Sequence, residues 1–437
     1  MKSKASKDLI KLNPLDIRLF CSCVLVIFAY IYAYRIQYAP PELYLFSISL
    51  IYISAPPKFI IHPQNFLFGY HILWYTIPLI YAPRYQFNNF TTYEEVIAFC
   101  MFITTYIVSF ITLHFTCSLK KTKPFRINLF KELKNIPLFW IHIFSISFTI
   151  IICLLILNKH GGFSTISKLH FSREGTGVYN ILLLFSSGIA LSTASYYISI
   201  KKNILLVLFY FLFVAFLLLF LQHRSRLLFF ILLLFIWKSM YLKFKIRNVV
   251  YIASFIFSSF ILGSMIRSSD QFTSIEQGLK FTLNYFDVYE VFLLVLRDFP
   301  PSFSFQTIFM SFNKFLTPFG ITEGVEYNMS SWLTKIYFSN SGVGYRTTIQ
   351  WPVETDLYLS MYYVFGLPLI VLYFTIIGKM YRLAMKTKSL GAMYVSLVLM
   401  MNIMGHMRGA LIAWRDLYLI PILIVSYYIL NRFKFRV

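Results

Sequence analysis

Apolar runs of 17 to 23 residues recur along almost the whole chain, and no other feature restricts the fold so severely. A helix rises about 1.5 Å per residue, so roughly 20 apolar residues cross the ~30 Å of hydrocarbon in a bilayer. Strands of a membrane barrel would instead show segments of about 10 residues with alternating polarity, and none is seen. The runs predict an all-α polytopic integral membrane protein. Composition agrees: 58% of the 437 residues are hydrophobic and 13% charged, too few to clothe a water-soluble surface.

The expected spans are 17–35, 42–60, 66–82, 95–117, 137–157, 179–199, 203–221, 227–243, 248–266, 356–378, 390–406 and 410–430, about 12 transmembrane helices in all. The second, which carries Pro56 and Pro57, and the short eleventh are the weakest. The basic start (Lys2, Lys4, Lys7, Lys11) lacks a small-residue cleavage site after the first apolar run, so that run reads as an uncleaved helix.

The net charge of +23 would suggest nucleic acid in a soluble protein, but in a membrane protein it reports orientation. With the N-terminus cytoplasmic, the inner segments include KKTKPFRINLFKELKN (120–135), KSMYLKFKIR (238–247), KMYRLAMKTK (379–388) and the tail NRFKFR (431–436). The inner side then holds 25 of the 40 basic residues but only three of the 17 acids, Asp8, Asp16 and Glu132. This asymmetry predicts that both termini are cytoplasmic and excludes nucleic acid as a partner. It leaves one single transmembrane domain over 1–437, with an outer cap loop over 267–355 between the ninth and tenth spans. FTLNYFDVYEVFLLVLRD (281–298) reads as an interfacial helix within that cap, a pair of short re-entrant helices being the alternative.

No phosphate-binding glycine loop, nucleophile elbow, paired-aspartate nucleotide motif or metal-ligand spacing occurs, so neither a metal nor a cofactor is expected. Cys21, Cys23, Cys100, Cys117 and Cys153 all lie inside apolar runs and read as small hydrophobes.

The outer cations are the best functional clue. Arginines number 6 of the 25 inner basic residues but 10 of the 15 outer ones. Orientation does not require arginine over lysine, whereas its rigid fork grips phosphate oxygens in pairs and stays charged. The outer face therefore points to an anionic ligand, plausibly a pyrophosphate, although surface pairing with the outer acids accounts about as well for any single arginine. His223, Arg224 and Arg226 stand where the seventh span turns into the eighth, Arg267 closes the ninth, and His406 and Arg408 mark the junction of the last two. Arg224 and Arg226 are two apart, so only one should face a common site. Arg415 lies about five residues into the last span, followed by Asp416. There a lone arginine costs about 2.5–3.5 kcal/mol unless it faces a cavity or a partner, for which Asp356 is one candidate. On one continuous helix Arg408 and Arg415 would share a face. Candidate bases are Glu354 and His406, with Glu174 beside Arg173 ranking third; Asp356 reads rather as a helix N-cap.

In this order the motifs resemble those of the Wzy-type O-antigen polymerases (oligosaccharide repeat unit polymerases), which have 10 to 14 spans and a large late outer loop. The stretches that carry the likeness are SREGTGVY (172–179), HRSRLLFFILLL (223–234), ETDLYLSMYYVFGLP (354–368) and MRGALIAWRD (407–416). The second departs from the family in having Gln-His where glycine is usual. The resemblance implies a glycosyltransferase C-like fold in the bacterial inner membrane. It implies a metal-independent enzyme of lipopolysaccharide biosynthesis, with undecaprenyl-pyrophosphate-linked oligosaccharide as donor and acceptor and a chain-length regulator as an optional partner. Arg173, Arg224 or Arg226, Arg267, Arg408 and Arg415 would then hold pyrophosphate, and Glu354 or His406 would take a proton. Trp332, Tyr345 and Trp351 would stack on sugars or anchor the cap at the membrane interface. An O-antigen ligase and a transporter or flippase of lipid-linked oligosaccharide are the rival expectations.

Overall fold

The computed structural model describes residues 13–81, 90–118, 136–159, 177–221, 224–245, 274–284, 286–317, 329–338, 350–407 and 409–435, with a few isolated positions between them. Among these residues the protein is helical, with two isolated β-bridges and no strand. In chain order the first helices are α1 Pro14–Ile36, α2 Pro41–Ser54, α3 Pro63–His71, α4 Ile77–Tyr81, α5 Thr92–Cys117, α6 Leu138–Lys159, α7 Gly177–Lys201, α8 Ile204–Leu221, α9 Arg224–Leu234 and α10 Ile236–Ser239. After them come α11 Ile275–Asn284, α12 Tyr289–Asp298, α13 Gln306–Leu316, α14 Met329–Phe338, α15 Val353–Met361, α16 Leu367–Thr387, α17 Leu390–His406 and α18 Trp414–Leu430.

Among the described residues, five stretches are long and apolar enough to cross a membrane: Pro14–Ile36, Thr92–Cys117, Leu138–Lys159, Val178–Lys201 and Val364–Thr387. Shorter apolar helices cover Pro41–Ser54, Ile204–Leu217 and Leu390–His406. Phe20, Phe28, Ile53, Phe144, Ile204 and Leu212 are 66–72% exposed. So much bare hydrocarbon suits lipid and would drive aggregation in water. In α1 the buried residues Leu19, Cys23, Val26, Tyr30 and Ala33 recur every three or four positions, and the rest of the helix turns outward. Two-thirds (67%) of the apolar windows of α5 and α7 is buried, against 28% for α1, so α5 and α7 are inner helices and α1 is peripheral.

Local chemistry sets the helix starts. Asn13 caps α1 ahead of Pro14, and Ser389 caps α17 through the Ala392 N–H. Thr91 and Glu94 form a reciprocal capping box at α5, with bonds of 3.3 and 2.8 Å. The end of the bundle that carries residues 58–60, 242–244 and 388–390 is tied by backbone pairing. Ile60 N–H donates to Leu242 O and Phe244 N–H to Lys58 O, both at 2.9 Å, while Leu390 N–H donates to Phe433 O at 2.7 Å. Tyr241 Oη joins the two pairs by donating to Met385 O at 3.1 Å.

Several expected boundaries move. The second span is a 14-residue helix that stops before Pro56 and Pro57, where the chain cannot continue a helix. The third passes through a π-helical turn at Ile72–Thr76. The tenth is interrupted: Tyr362 and Tyr363 both adopt positive φ (48° and 58°), so α15 ends and the membrane-length run begins at Val364. A side chain on Gly366 would meet Leu357 Cδ2 at 2.5 Å, so the absence of one lets the two segments fold against each other. The segment read as one interfacial helix is broken after Asn284. Its second part, α12, buries Val291, Phe292, Leu293, Leu294 and Val295 together with Glu290. It packs against α5 and α15, so the seat of this segment is inside the protein. The ninth span, 248–266, lies outside the described residues save for isolated positions.

Candidate functional site

α17 ends at His406, and residues 409–413 pass without helix to Trp414. Arg415 therefore stands in the first turn of α18, not a turn inside a longer span, and no continuous helix joins it to position 408. Ala413 is extended (φ −88°, ψ 146°), and its N–H donates to an oxygen of Asp416 at 2.9 Å. An acid three residues beyond the cap thus satisfies a donor that the helix start leaves free.

The same Asp416 oxygen lies 2.7 Å from Nε2 of His406, and Nδ1 of His406 lies 2.6 Å from the hydroxyl of Tyr373 on α16. A carboxylate only accepts, so Nε2 carries the proton of the first bond. Tyr373, His406 and Asp416 form a hydrogen-bonded line. It ends in a small crevice that opens to solvent. Asn402, His406, Arg415 and Asp416 form the polar part of the crevice. Ile181, Leu184 and Phe185 of α7, Phe229 of α9 and Leu419 of α18 form the apolar part. A Cβ on Gly405 would lie 3.9 Å from Arg415 Nη2, an ordinary contact that places the guanidinium over this glycine.

Glu354 occupies a different environment. It is fully buried on α15, and its Oε2 accepts from the Tyr75 hydroxyl at 2.7 Å. Tyr75 belongs to the π-helical turn, a local winding often found where a side chain must be re-aimed. Tyr363 donates its only hydroxyl proton to Met101 O at 2.6 Å, so the Thr105 hydroxyl, 3.1 Å away, donates to Tyr363. That leaves Glu354 Oε1 without a hydrogen-bond partner. Burial dominates over the stabilising Tyr75 hydroxyl and pushes the Glu354 carboxyl up to about 7.

Asp356 is not the cap of its helix, whose N-cap is Pro352. Its Oδ1 takes the Thr307 hydroxyl, and its Oδ2 accepts from the Leu411 N–H at 3.2 Å. Burial raises this carboxyl too, to about 6. Val353 N–H and the Tyr70 hydroxyl both donate to Met407 O, at 2.8 and 2.6 Å. The start of α15 is thereby strapped to residues 407–411, directly after His406.

Of the arginines singled out in the sequence, Arg415 is brought to the crevice with His406. Arg173, Arg267 and Arg408 lie outside the described residues, as do Glu174 and Tyr345. Arg224 and Arg226 form the first turn of α9, two turns or fewer from Phe229 in the crevice wall; their side chains are outside the description. Trp351 is fully buried against Tyr337 and presents no face to a ligand. Trp332 is half-buried against Phe299. Among the described residues no group of three His, Cys, Asp or Glu side chains is placed to hold a metal. Asp416, Tyr373 and Tyr75 were not singled out in the sequence. Asp416 carried a usable signal as an acid at the start of an apolar run, whereas a tyrosine 33 residues from its histidine carries none.

Comparison with models of known protein families, with curated proteins and with solved structures finds no match to this chain.

Proposed function

We propose that the chain is a membrane glycosyltransferase that polymerises a bacterial surface polysaccharide. It moves a growing glycan from undecaprenyl pyrophosphate onto a new lipid-linked repeat unit at the outer face of the inner membrane. In this reading the chain makes about 12 spans with both ends cytoplasmic, and residues 267–355 cap the outer side. The observation that carries it is the crevice: a guanidinium, Arg415, stands at the polar end of a slot walled by Leu184, Phe185, Phe229 and Leu419. Such a slot suits a ligand with an anionic head and a hydrocarbon tail. Position 226 lies three residues before Phe229, on the same face of α9, and favours Arg226 over Arg224 as a second cation.

The chemistry asks little beyond charge and a proton acceptor. A hydroxyl of the incoming sugar attacks the anomeric carbon, the bond from that carbon to the phosphate oxygen breaks, and its electron pair leaves with the pyrophosphate. Fixed guanidinium groups stabilise the charge that develops there, and they do so most strongly where water is scarce. Arg173, Arg267 and Arg408 complete the proposed set. Near the crevice, the His406–Asp416 pair stands ready to receive the hydroxyl proton; Glu354 is sealed away from it.

Deleting the gene in its own host and reading the lipopolysaccharide ladder tests the reading. Loss of the ladder with a single repeat still attached to the core is expected. Loss of every attached repeat points instead to a ligase or a flippase, and accumulation of the lipid-linked unit in the cytoplasm singles out the flippase.

A further inference from the structure

We infer that Asp416 is the residue that accepts the proton of the attacking hydroxyl, with His406 and Tyr373 as positioning residues behind it. The inference deepens the polymerase reading and rests on it.

Elimination among the described groups leads there. Glu354 has a free carboxyl oxygen but no exposure at all. His406 lines the crevice, yet both its nitrogens are engaged: Nε2–H donates to Asp416, and Nδ1 is held by the Tyr373 hydroxyl. An imidazole so placed has no lone pair to offer a ligand. Asp416 differs in one respect. Its Oδ2 takes both bonds, from His406 Nε2 at 2.7 Å and from Ala413 N–H at 2.9 Å. Among the described residues Oδ1 accepts no hydrogen bond, and the side chain keeps 13% of its surface open beside Arg415 in the crevice. An acceptor fixed through one oxygen and free at the other has the geometry required of a general base.

The step balances without further reactants. The O–H bond of the incoming sugar breaks and its proton forms a bond with Asp416 Oδ1. The oxygen forms the new glycosidic bond as the old bond from carbon to phosphate oxygen breaks, and the electron pair leaves on the pyrophosphate beside Arg415. His406 Nε2–H keeps the carboxylate oriented before transfer. Asp416 and Arg415 are consecutive, so the first turn of α18 presents the base and the leaving-group cation together.

The test has two readouts: retention of undecaprenyl pyrophosphate by the purified full-length protein, and the ladder restored in a deletion strain of its own host. Failure of the parent protein to retain the lipid, or an unchanged ladder in the deletion strain, defeats the polymerase reading before any variant is made. With those in place, Asp416→Asn is expected to retain the lipid within threefold of the parent and to lose the ladder by at least a hundredfold, the usual weight of a general base. Asparagine still offers an oxygen to Ala413 N–H, so the helix start is kept. His406→Gln should fall between the two, with lipid retention unchanged. A ladder from Asp416→Asn within threefold of the parent overturns the assignment, and so does loss of lipid and ladder together. Should Asp416→Asn not accumulate, Asp416→Glu and Asp416→Gln decide. A ladder from glutamate at least tenfold above that from glutamine is expected, and equal ladders overturn the assignment.

Discussion

The Tyr75 hydroxyl donates to Glu354 Oε2 across 2.7 Å at a place where neither side chain touches solvent. The bond joins the π-helical turn between α3 and α4 to the short helix that precedes the membrane-length run of α16. With Oε1 unpartnered, the neutral acid is the form this environment prefers. Its carboxyl is pushed from an ordinary 4.5 to about 7. Between those values the folded protein holds a proton that the unfolded chain releases. The contribution of this carboxyl to stability is therefore full below about pH 4.5 and falls as pH rises towards 7.

The unfolding temperature of the detergent-solubilised parent, measured relative to that of Glu354→Gln, should thus drop between pH 5 and pH 8. Glu354→Gln should remove the part of the slope between pH 6 and 7. The full Glu354 effect is on the order of 3 kcal/mol. An unaltered slope in Glu354→Gln would show that this carboxyl is ionised in the fold.

Tyr75→Phe removes the donor and leaves a buried acceptor unsatisfied. A loss of about 1–3 kcal/mol is expected, seen as a lower unfolding temperature at pH 5. In a Glu354→Leu background the loss should vanish, because no buried acceptor is left for the hydroxyl; the double-mutant cycle measures the difference.

Close helix packing gives a sharper contrast. A Cβ on Gly391 would stand 2.6 Å from Tyr427 O and 2.7 Å from Asn431 N, both backbone atoms that cannot swing aside. Gly391→Ala should therefore separate α17 from α18 and cost at least about 1–3 kcal/mol. At Gly69 a Cβ would meet nothing within 4 Å, so Gly69→Ala should be neutral or stabilising by up to about 1 kcal/mol. The order of the two unfolding temperatures checks the arrangement of α17 and α18.

Much of the scaffold is legible in the sequence because hydrocarbon thickness imposes helix length directly. The eleventh expected span, 390–406, coincides with α17. Legibility fails where the chain leaves the helix for reasons other than polarity. Residues 362–363 look as apolar as their neighbours, yet they turn left-handed to close α15 on Leu357 O. Residues 409–413 are apolar as well, so hydropathy runs the last span back to 410 when the helix starts at Trp414. The site is half legible for a similar reason. Arg415 and His406 stand out as polar groups at the ends of apolar runs. Their setting does not, because the partners of His406 come from two other helix segments, and burial separates Glu354 from the crevice although its neighbour Val353 bonds to Met407.

Lipid capture by the purified protein tests the central claim most directly. Undecaprenyl pyrophosphate is offered to the parent and to Arg415→Ala, and the lipid retained by each is counted by native mass spectrometry. The account predicts one lipid retained by the parent, at least tenfold weaker retention by Arg415→Ala, and no recovery in Arg415→Lys, whose point charge lacks the paired donors. Equal retention by the parent and Arg415→Ala would contradict it.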